Sequence, residues 1–135
     1  GAAFGDYNNN GCMDVLVLNM NDLPSLLRNV GGNKQNWIKI KLLGTICNRT
    51  AIGARVRVTT GKHTQMDEVH GGTSVMSQND LRLHFGLGQA ATVDWIEVKW
   101  PTTQKIERFE KIKANQILTI REGQGIVATF KPAST

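Results

Sequence analysis

The sequence predicts an all-β protein built as a mostly antiparallel β-sandwich. At least five segments alternate apolar and polar residues with a period of two, which is the side-chain period of a strand half-buried in a sheet. Clusters of Gly, Asn, Thr and Pro separate these segments at short intervals, and helical patterning is nearly absent. Short strands between frequent turns are typical of a sandwich or a small barrel.

The alternation assigns each predicted strand an inner and an outer face. In WIKIKLL, Ile38, Ile40 and Leu42 are expected inside, with Lys39 and Lys41 outside. The runs ARVRV, LRLHFGLG, WIEVKW and ILTI follow the same scheme, and VLVL at 15–18 reads as a further strand. The predicted core includes Leu83, Phe85, Ile96, Val98 and Ile120.

The length of 135 residues suits one ordinary domain with a small appendage. The chain begins within a motif, GAAFGD, so we expect it to be a piece of a longer protein. A short helical turn is expected within 20–29, where Pro24 could take a first-turn position. No apolar stretch approaches the roughly 20 residues that a membrane helix needs, so membrane insertion is not expected.

The charge balance is mildly basic, with 16 Lys and Arg against 11 Asp and Glu. A basic face would form if the outward cations shared one sheet, and it could bind phosphates. Strand-borne RNA binders interleave stacking aromatic residues with such cations, and here only Trp37 and Trp95 are candidates. We therefore expect a solvated surface and no nucleic-acid partner. The cations concerned are Lys39, Lys41, Arg55, Arg57, Arg82 and Lys99.

The stretch GDYNNNGCMD resembles half of a calcium loop. Counting Asp6 as the first position, side-chain oxygens fall at the first, third, fifth and ninth positions, and Gly11 falls at the sixth, where such loops turn. The twelfth position is Val17 instead of the Glu of an EF-hand. Asn-Gly is also a strong hairpin signal without any ion. The spacing alone leaves both readings open, a metal loop and a plain turn.

Cys12 and Cys47 are too few for a disulfide framework or a zinc set, and the sequence leaves open whether they pair or stay free.

The nearest approach to a catalytic cluster is QMDEVHGG, which places Asp67, Glu68 and His70 close together. Strand alternation puts Asp67 on the face opposite Glu68 and His70, so we expect no convergence. We predict that the chain is not an enzyme.

Residues 36–122 resemble the ASPIC/UnbV domain. The resemblance rests on an Ile-Gly-Ala-Arg run at 52–55, a Gly-Gly-Ser/Thr segment within 71–74, the signature SQNDLRLHFGLG at 77–88 and a Val-x-Trp-Pro ending at 98–101. In such proteins the domain follows FG-GAP (VCBS-like) repeats, which form propeller blades with calcium loops. The resemblance implies that FGDYNNNGCMD is the last such loop and that an N-terminal propeller-blade remnant precedes the sandwich.

The resemblance also implies a metal site and a division of the chain. Expected Ca²⁺ ligands are Asp6, Asn8, Asn10, the Cys12 carbonyl and Asp14, and only two carboxylates make the expected affinity weak. Residues 1–32 would be the repeat remnant, 33–122 the sandwich and 123–135 a C-terminal extension. Because an uncovered apolar strand invites edge pairing, the N-terminal strand permits a homo-oligomer.

The expected function is recognition or adhesion by a non-catalytic module, secreted or on the cell surface, that caps a calcium-loop propeller and binds a protein or glycan. The alternative is a carbohydrate-binding or carbohydrate-processing accessory domain, in which exposed Trp37 and Trp95 stack on sugars. The predicted ligand-contact residues are Ser77, Gln78, Asn79, Asp80 and Trp95.

Overall fold

The structure is a computed structural model that describes residues 1–31, 34–73 and 75–132. These ranges contain eleven strands and no α-helix, which confirms the all-β prediction. No helix in the described ranges is long and apolar enough to span a membrane. The strands are β1 Ala2–Gly5, β2 Asp14–Val17, β3 Ser25–Leu27, β4 Asn36–Leu43, β5 Arg55–Thr60, β6 His63–Glu68, β7 Leu83–Gly88, β8 Thr92–Lys99, β9 Ile106–Lys113, β10 Gln116–Arg121 and β11 Gly125–Phe130.

The strands form three sheets. Two four-stranded sheets, with orders β11-β10-β4-β7 and β6-β5-β8-β9, make the sandwich, and a three-stranded sheet, β1-β2-β3, precedes them in the chain. Described strand pairs are antiparallel apart from β10 and β4, which run parallel with Ile117 opposite Lys39. The mostly antiparallel sandwich is therefore confirmed.

One apolar core lies between the two larger sheets. The five residues predicted for it are all buried, with exposures of 0–6%. Trp100 is fully buried in the same cluster, and its indole Nε1 donates a hydrogen bond to Glu107 Oε1 at 3.0 Å. Burying such side chains contributes roughly 1.5–3 kcal/mol each, which makes this core the main source of stability.

The helical turn predicted within 20–29 is wrong. Ser25–Leu27 instead form β3, whose residues pair with Val15–Val17 of β2. Sheet pairing supplies this segment with backbone hydrogen bonds that an isolated turn would lack, and Pro24 precedes the strand, where its missing N–H costs nothing.

Within the predicted C-terminal extension, residues 125–130 form β11, which pairs with β10.

Strand β4 departs from the predicted alternation. Lys41 is exposed as expected, but Lys39 is fully buried and Trp37 is 4% exposed, although both belong to the outer face. The loop between β1 and β2, residues 6–13, covers this part of the sheet. The prediction that Lys39 and Trp37 point to solvent is therefore wrong, because the small sheet brings a second layer onto them.

Candidate functional site

The β1–β2 loop packs on the outer face of β4 and β7. Gly11 adopts a φ of +89°, and a Cβ added there would overlap the indole ring of Trp37. Trp37 in turn stacks on His84, with ring centroids 5.9 Å apart and planes 12° from parallel. A glycine is needed because it alone combines this backbone conformation with so close an approach.

A buried ion pair fixes the same loop to β4. Nζ of Lys39 lies 2.6 Å from Oδ2 of Asp6, and both side chains are inaccessible to solvent. Asp6 Oδ1 accepts the N–H of Asn10 at 3.0 Å, and Oδ2 also accepts the N–H of Gly11 at 2.9 Å. Burial lowers the pKa of Lys39, because it disfavours the charged ammonium, while the Asp6 hydrogen bond opposes that shift.

The other predicted calcium ligands are also engaged within the protein. Asn8 Oδ1 accepts from Asn10 N, and Asn10 Oδ1 accepts from Cys12 N at 2.8 Å. Oδ1 of Asp14 accepts from Asn29 N at 2.8 Å, while its Oδ2 accepts from Tyr7 N at 3.4 Å. In the described part of the chain, no three His, Cys, Asp or Glu residues cluster to hold a metal.

As arranged here, the loop does not fit Ca²⁺. The first-position carboxylate contacts an ammonium, and side-chain oxygens of the loop accept backbone N–H groups. Calcium binding needs six to eight oxygens gathered on one ion, without a positive charge among them. The expectation of a calcium site therefore rests on the residue spacing and the resemblance, without support from this arrangement of side chains.

The segment Ser77–Asp80, predicted as an exposed ligand edge, lies along β1. Ser77 Oγ donates to the Ala2 carbonyl, Asn79 Oδ1 accepts the N–H of Phe4, and Asp80 N donates to the Phe4 carbonyl, each at 2.9 Å. Gln78 faces the preceding loop, where its Oε1 accepts the N–H of Gly72 at 2.6 Å. Ser77, Asn79 and Asp80 therefore attach the N-terminal sheet to the sandwich, whereas Gln78 braces the preceding loop.

Arg82 connects the β1–β2 loop with the Ser77–Asp80 segment. Its Nη2 lies 2.6 Å from Oδ2 of Asp80 and donates to the Asp6 carbonyl at 3.1 Å, while Nη1 donates to Asn9 Oδ1. Burial would raise the pKa of Asp80, but hydrogen bonds and charge from Arg82 outweigh it, so the pKa lies below the ordinary value. Together with the loop and the Ser77–Asp80 segment, Arg82 defines what we call the docking contact.

Trp95 is not part of this arrangement. It lies on the outer face of β8 in the other sheet, and the guanidinium of Arg108 covers its ring at 4.5 Å from the centroid. Trp37 is buried, so the expectation of two exposed tryptophans for sugar stacking is wrong. The structure does not bring Trp95 together with Ser77–Asp80.

Three further groups of residues were candidates for chemistry: the Asp67–His70 cluster, the outward cations and the two cysteines. Asp67, Glu68 and His70 all border one cavity of about 330 Å³, but Glu68 pairs with Arg55 at 2.7 Å, and the expectation that the three do not converge stays a prediction. Of the six predicted outward cations, Lys39 is buried and Arg82 is bound, and the other four are split between two sheets. Cys12 and Cys47 are both buried free thiols.

Sequence reasoning missed the ion pair and the role of Arg82. Asp6 and Lys39 are 33 residues apart, and no local pattern links them. One signal was present in Trp37, because a large aromatic residue on the predicted outer face of a strand is seldom left uncovered. That signal points to a second layer without identifying the loop that provides it.

The geometry defines a class of protein: a β-sandwich whose outer face carries a docked three-stranded sheet. Comparison with protein families matches residues 44–127 to the ASPIC and UnbV family. The match covers more than half of the chain, and the chain belongs to this family. A search of curated proteins found no match. The family match begins after β1–β3, so an FG-GAP or VCBS-like origin of that sheet remains a prediction.

Proposed function

We propose that the chain is a non-catalytic recognition or adhesion module, secreted or on the cell surface, in which the ASPIC/UnbV sandwich holds the N-terminal sheet in place for a partner protein. One observation supports this most directly. Three polar side chains of the SQNDLR signature, those of Ser77, Asn79 and Arg82, form hydrogen bonds that attach that sheet.

The N-terminal sheet carries the apolar surface expected of a recognition element. The cross-strand register places Leu16 beside Leu26 on one face, with exposures of 43% and 49%, and Phe4 and Leu27 on the other, with 50% and 57%. A cavity of about 420 Å³ runs beside Leu16, Leu26 and Tyr7. Clustered exposed apolar side chains of this kind mark interaction sites.

The partner we infer is another β-sheet protein surface. β3 is an edge strand of its sheet, so its outer backbone groups can pair with a further strand. The resemblance to a domain that follows propeller repeats favours a neighbouring repeat as that partner, and a second copy of the chain presents the same edge. In either case the sandwich caps the sheet and leaves its far edge for contact.

The test compares binding of three proteins, the parent and two variants, to an extracellular-protein array, to a surface that carries the parent chain and to a glycan array. Leu26→Glu puts a charge on the N-terminal sheet, and Ile106→Glu puts the same charge on an exposed apolar position of β9, where the side chain is 62% exposed. We expect the parent and Ile106→Glu to bind the same proteins and Leu26→Glu to lose at least roughly tenfold in affinity, as for an interface residue worth over 1 kcal/mol. Binding to glycans alone, or equal losses in both variants, would contradict the proposal.

A further inference from the structure

The Lys39–Asp6 ion pair lies where the β1–β2 loop would be expected to hold a metal ion. The loop has the residue spacing of a calcium site, and a cation does sit at its first carboxylate. That cation is the ammonium of Lys39, with no solvent access and 2.6 Å from Oδ2 of Asp6. It comes from β4 of the sandwich, whereas the carboxylate comes from the N-terminal sheet.

We propose that Lys39 acts as a tethered cation that replaces Ca²⁺ in this loop, so that docking of the N-terminal sheet is independent of calcium. A buried carboxylate needs a compensating charge, and the ammonium supplies it without metal. The N–H groups of Asn10 and Gly11 satisfy the rest of the Asp6 carboxylate, so the loop is closed around the lysine.

The same geometry explains why an added ion is excluded. A dication at Asp6 would lie within a few ångströms of the ammonium in a site sheltered from water, where repulsion between like charges is strong. The loop supplies only two carboxylates against that repulsion, Asp6 and Asp14, and Asp14 already accepts hydrogen bonds from Asn29 and Tyr7. Mg²⁺ is excluded for the same reason and dehydrates less readily.

The experiment measures melting temperature with chelator and with Ca²⁺ at about 1–10 mM, above the dissociation constants of weak extracellular calcium modules. Calorimetric titration of Ca²⁺ into the parent accompanies it. We expect no heat of binding and no shift in the parent. In Lys39→Met, which removes the ammonium from Oδ2 of Asp6, Ca²⁺ should raise the melting temperature by roughly 3 °C or more. Lys41→Met is the matched control, because Lys41 lies two residues along β4 and is exposed; it should behave as the parent does.

Calcium binding by the parent, or a Ca²⁺-dependent rise in its melting temperature, would overturn the proposal. A folded Lys39→Met variant that ignores Ca²⁺ would overturn it as well, since the lysine would then not occupy a cation position. If Lys39→Met does not fold, Lys39→Arg, which keeps the charge, takes its place beside the parent titration, and any calcium response in that variant counts against the proposal. None of these results depends on the partner protein.

Discussion

Gly11 lies directly against the indole of Trp37, in a backbone conformation with φ of +89° that side chains rarely adopt. This van der Waals contact helps to hold the β1–β2 loop on the sandwich, beside the hydrogen bonds that Asp6 accepts from Lys39 and Arg82. Its geometry is demanding in two ways, since both the conformation and the space exclude a Cβ.

Gly11→Ala should therefore lower the free energy of unfolding by about 2–4 kcal/mol, which combines the left-handed backbone cost with overpacking against the ring. Gly61→Ala is the control, because Gly61 also has positive φ, +57°, but no heavy atom lies within 4 Å of an added Cβ. It should cost about 1–2 kcal/mol. Urea unfolding followed by tryptophan fluorescence measures both. Equal losses would mean that Trp37 yields freely and that the loop contact is loose.

The buried ion pair should show strong coupling in a double-mutant cycle. Asp6→Asn or Lys39→Met alone leaves a buried charge without its partner, and each should cost roughly 3–5 kcal/mol. The double variant should lose clearly less than the two single losses combined, because no charge then remains unpaired. Urea unfolding of the four proteins gives the coupling energy. Additive losses would show that the two groups do not interact as the structure has them.

Glu122 should make stability depend on pH. The residue is 4% exposed, and its Oε2 accepts the backbone N–H groups of Thr45, Ile46 and Cys47 at 3.0, 2.9 and 2.9 Å. Burial alone would raise its pKa, but the three hydrogen bonds outweigh it and lower the pKa from 4.5 to about 2. A lowered folded-state pKa stabilises the protein above pH 4.5, and that contribution is lost as the pH falls toward 2.

By linkage, the contribution at neutral pH is on the order of 1–3 kcal/mol, because solvent screens part of the interaction. Glu122→Gln should lose most of it at pH 7 and show a flatter decline between pH 5 and pH 2 than the parent, in urea titrations at each pH. Glu110→Gln, at a side chain that is 62% exposed, should keep the parent's pH dependence. A Gln variant that loses stability with acid as steeply as the parent does would contradict this role of Glu122.

Cys47 should be an unreactive thiol in the folded protein. Burial first, and then the neighbouring Glu122 carboxylate, raise its pKa to about 11, and the thiolate is the reactive form. In a Cys12→Ser background, labelling by a disulfide reagent near pH 8 should be at least roughly two orders of magnitude slower in the folded than in the unfolded chain. Rates within a few-fold of each other would contradict the burial of this residue.

The fold could be predicted where one strand face meets the core. Alternation identified β4, β5, β7, β8 and β10 because their apolar residues pack between two sheets. Hydrophobic alternation gave no signal for β6, whose residues are nearly all exposed, because a strand held mainly by backbone pairing to β5 has no hydrophobic period. The same reason explains why β3 was not predicted as a strand, since its two leucines remain exposed.

The docking contact could be predicted only in part. The residues of the calcium-like loop and of SQND stood out because their composition is distinctive, but the sequence could not say what they face. Lys39 looked like solvent surface because alternation describes one sandwich and takes no account of a third sheet placed on its outside. Lys39 is buried because of tertiary contacts that Asp6 makes with Lys39, 33 residues away, and with Arg82, 76 residues away.

Hydrogen exchange of the N-terminal sheet, measured by mass spectrometry in the parent and in Arg82→Gln, tests the docking contact most directly. Arg57→Gln, at an exposed cation of β5, is the control. We predict that amides of β1 and β2 are protected in the parent and in Arg57→Gln, and that Arg82→Gln speeds their exchange roughly tenfold or more while β8 and β9 keep theirs, as in local unfolding. Unprotected β1 and β2 amides in the parent, or protection that Arg82→Gln leaves unchanged, would contradict the claim that the family signature holds this sheet on the sandwich.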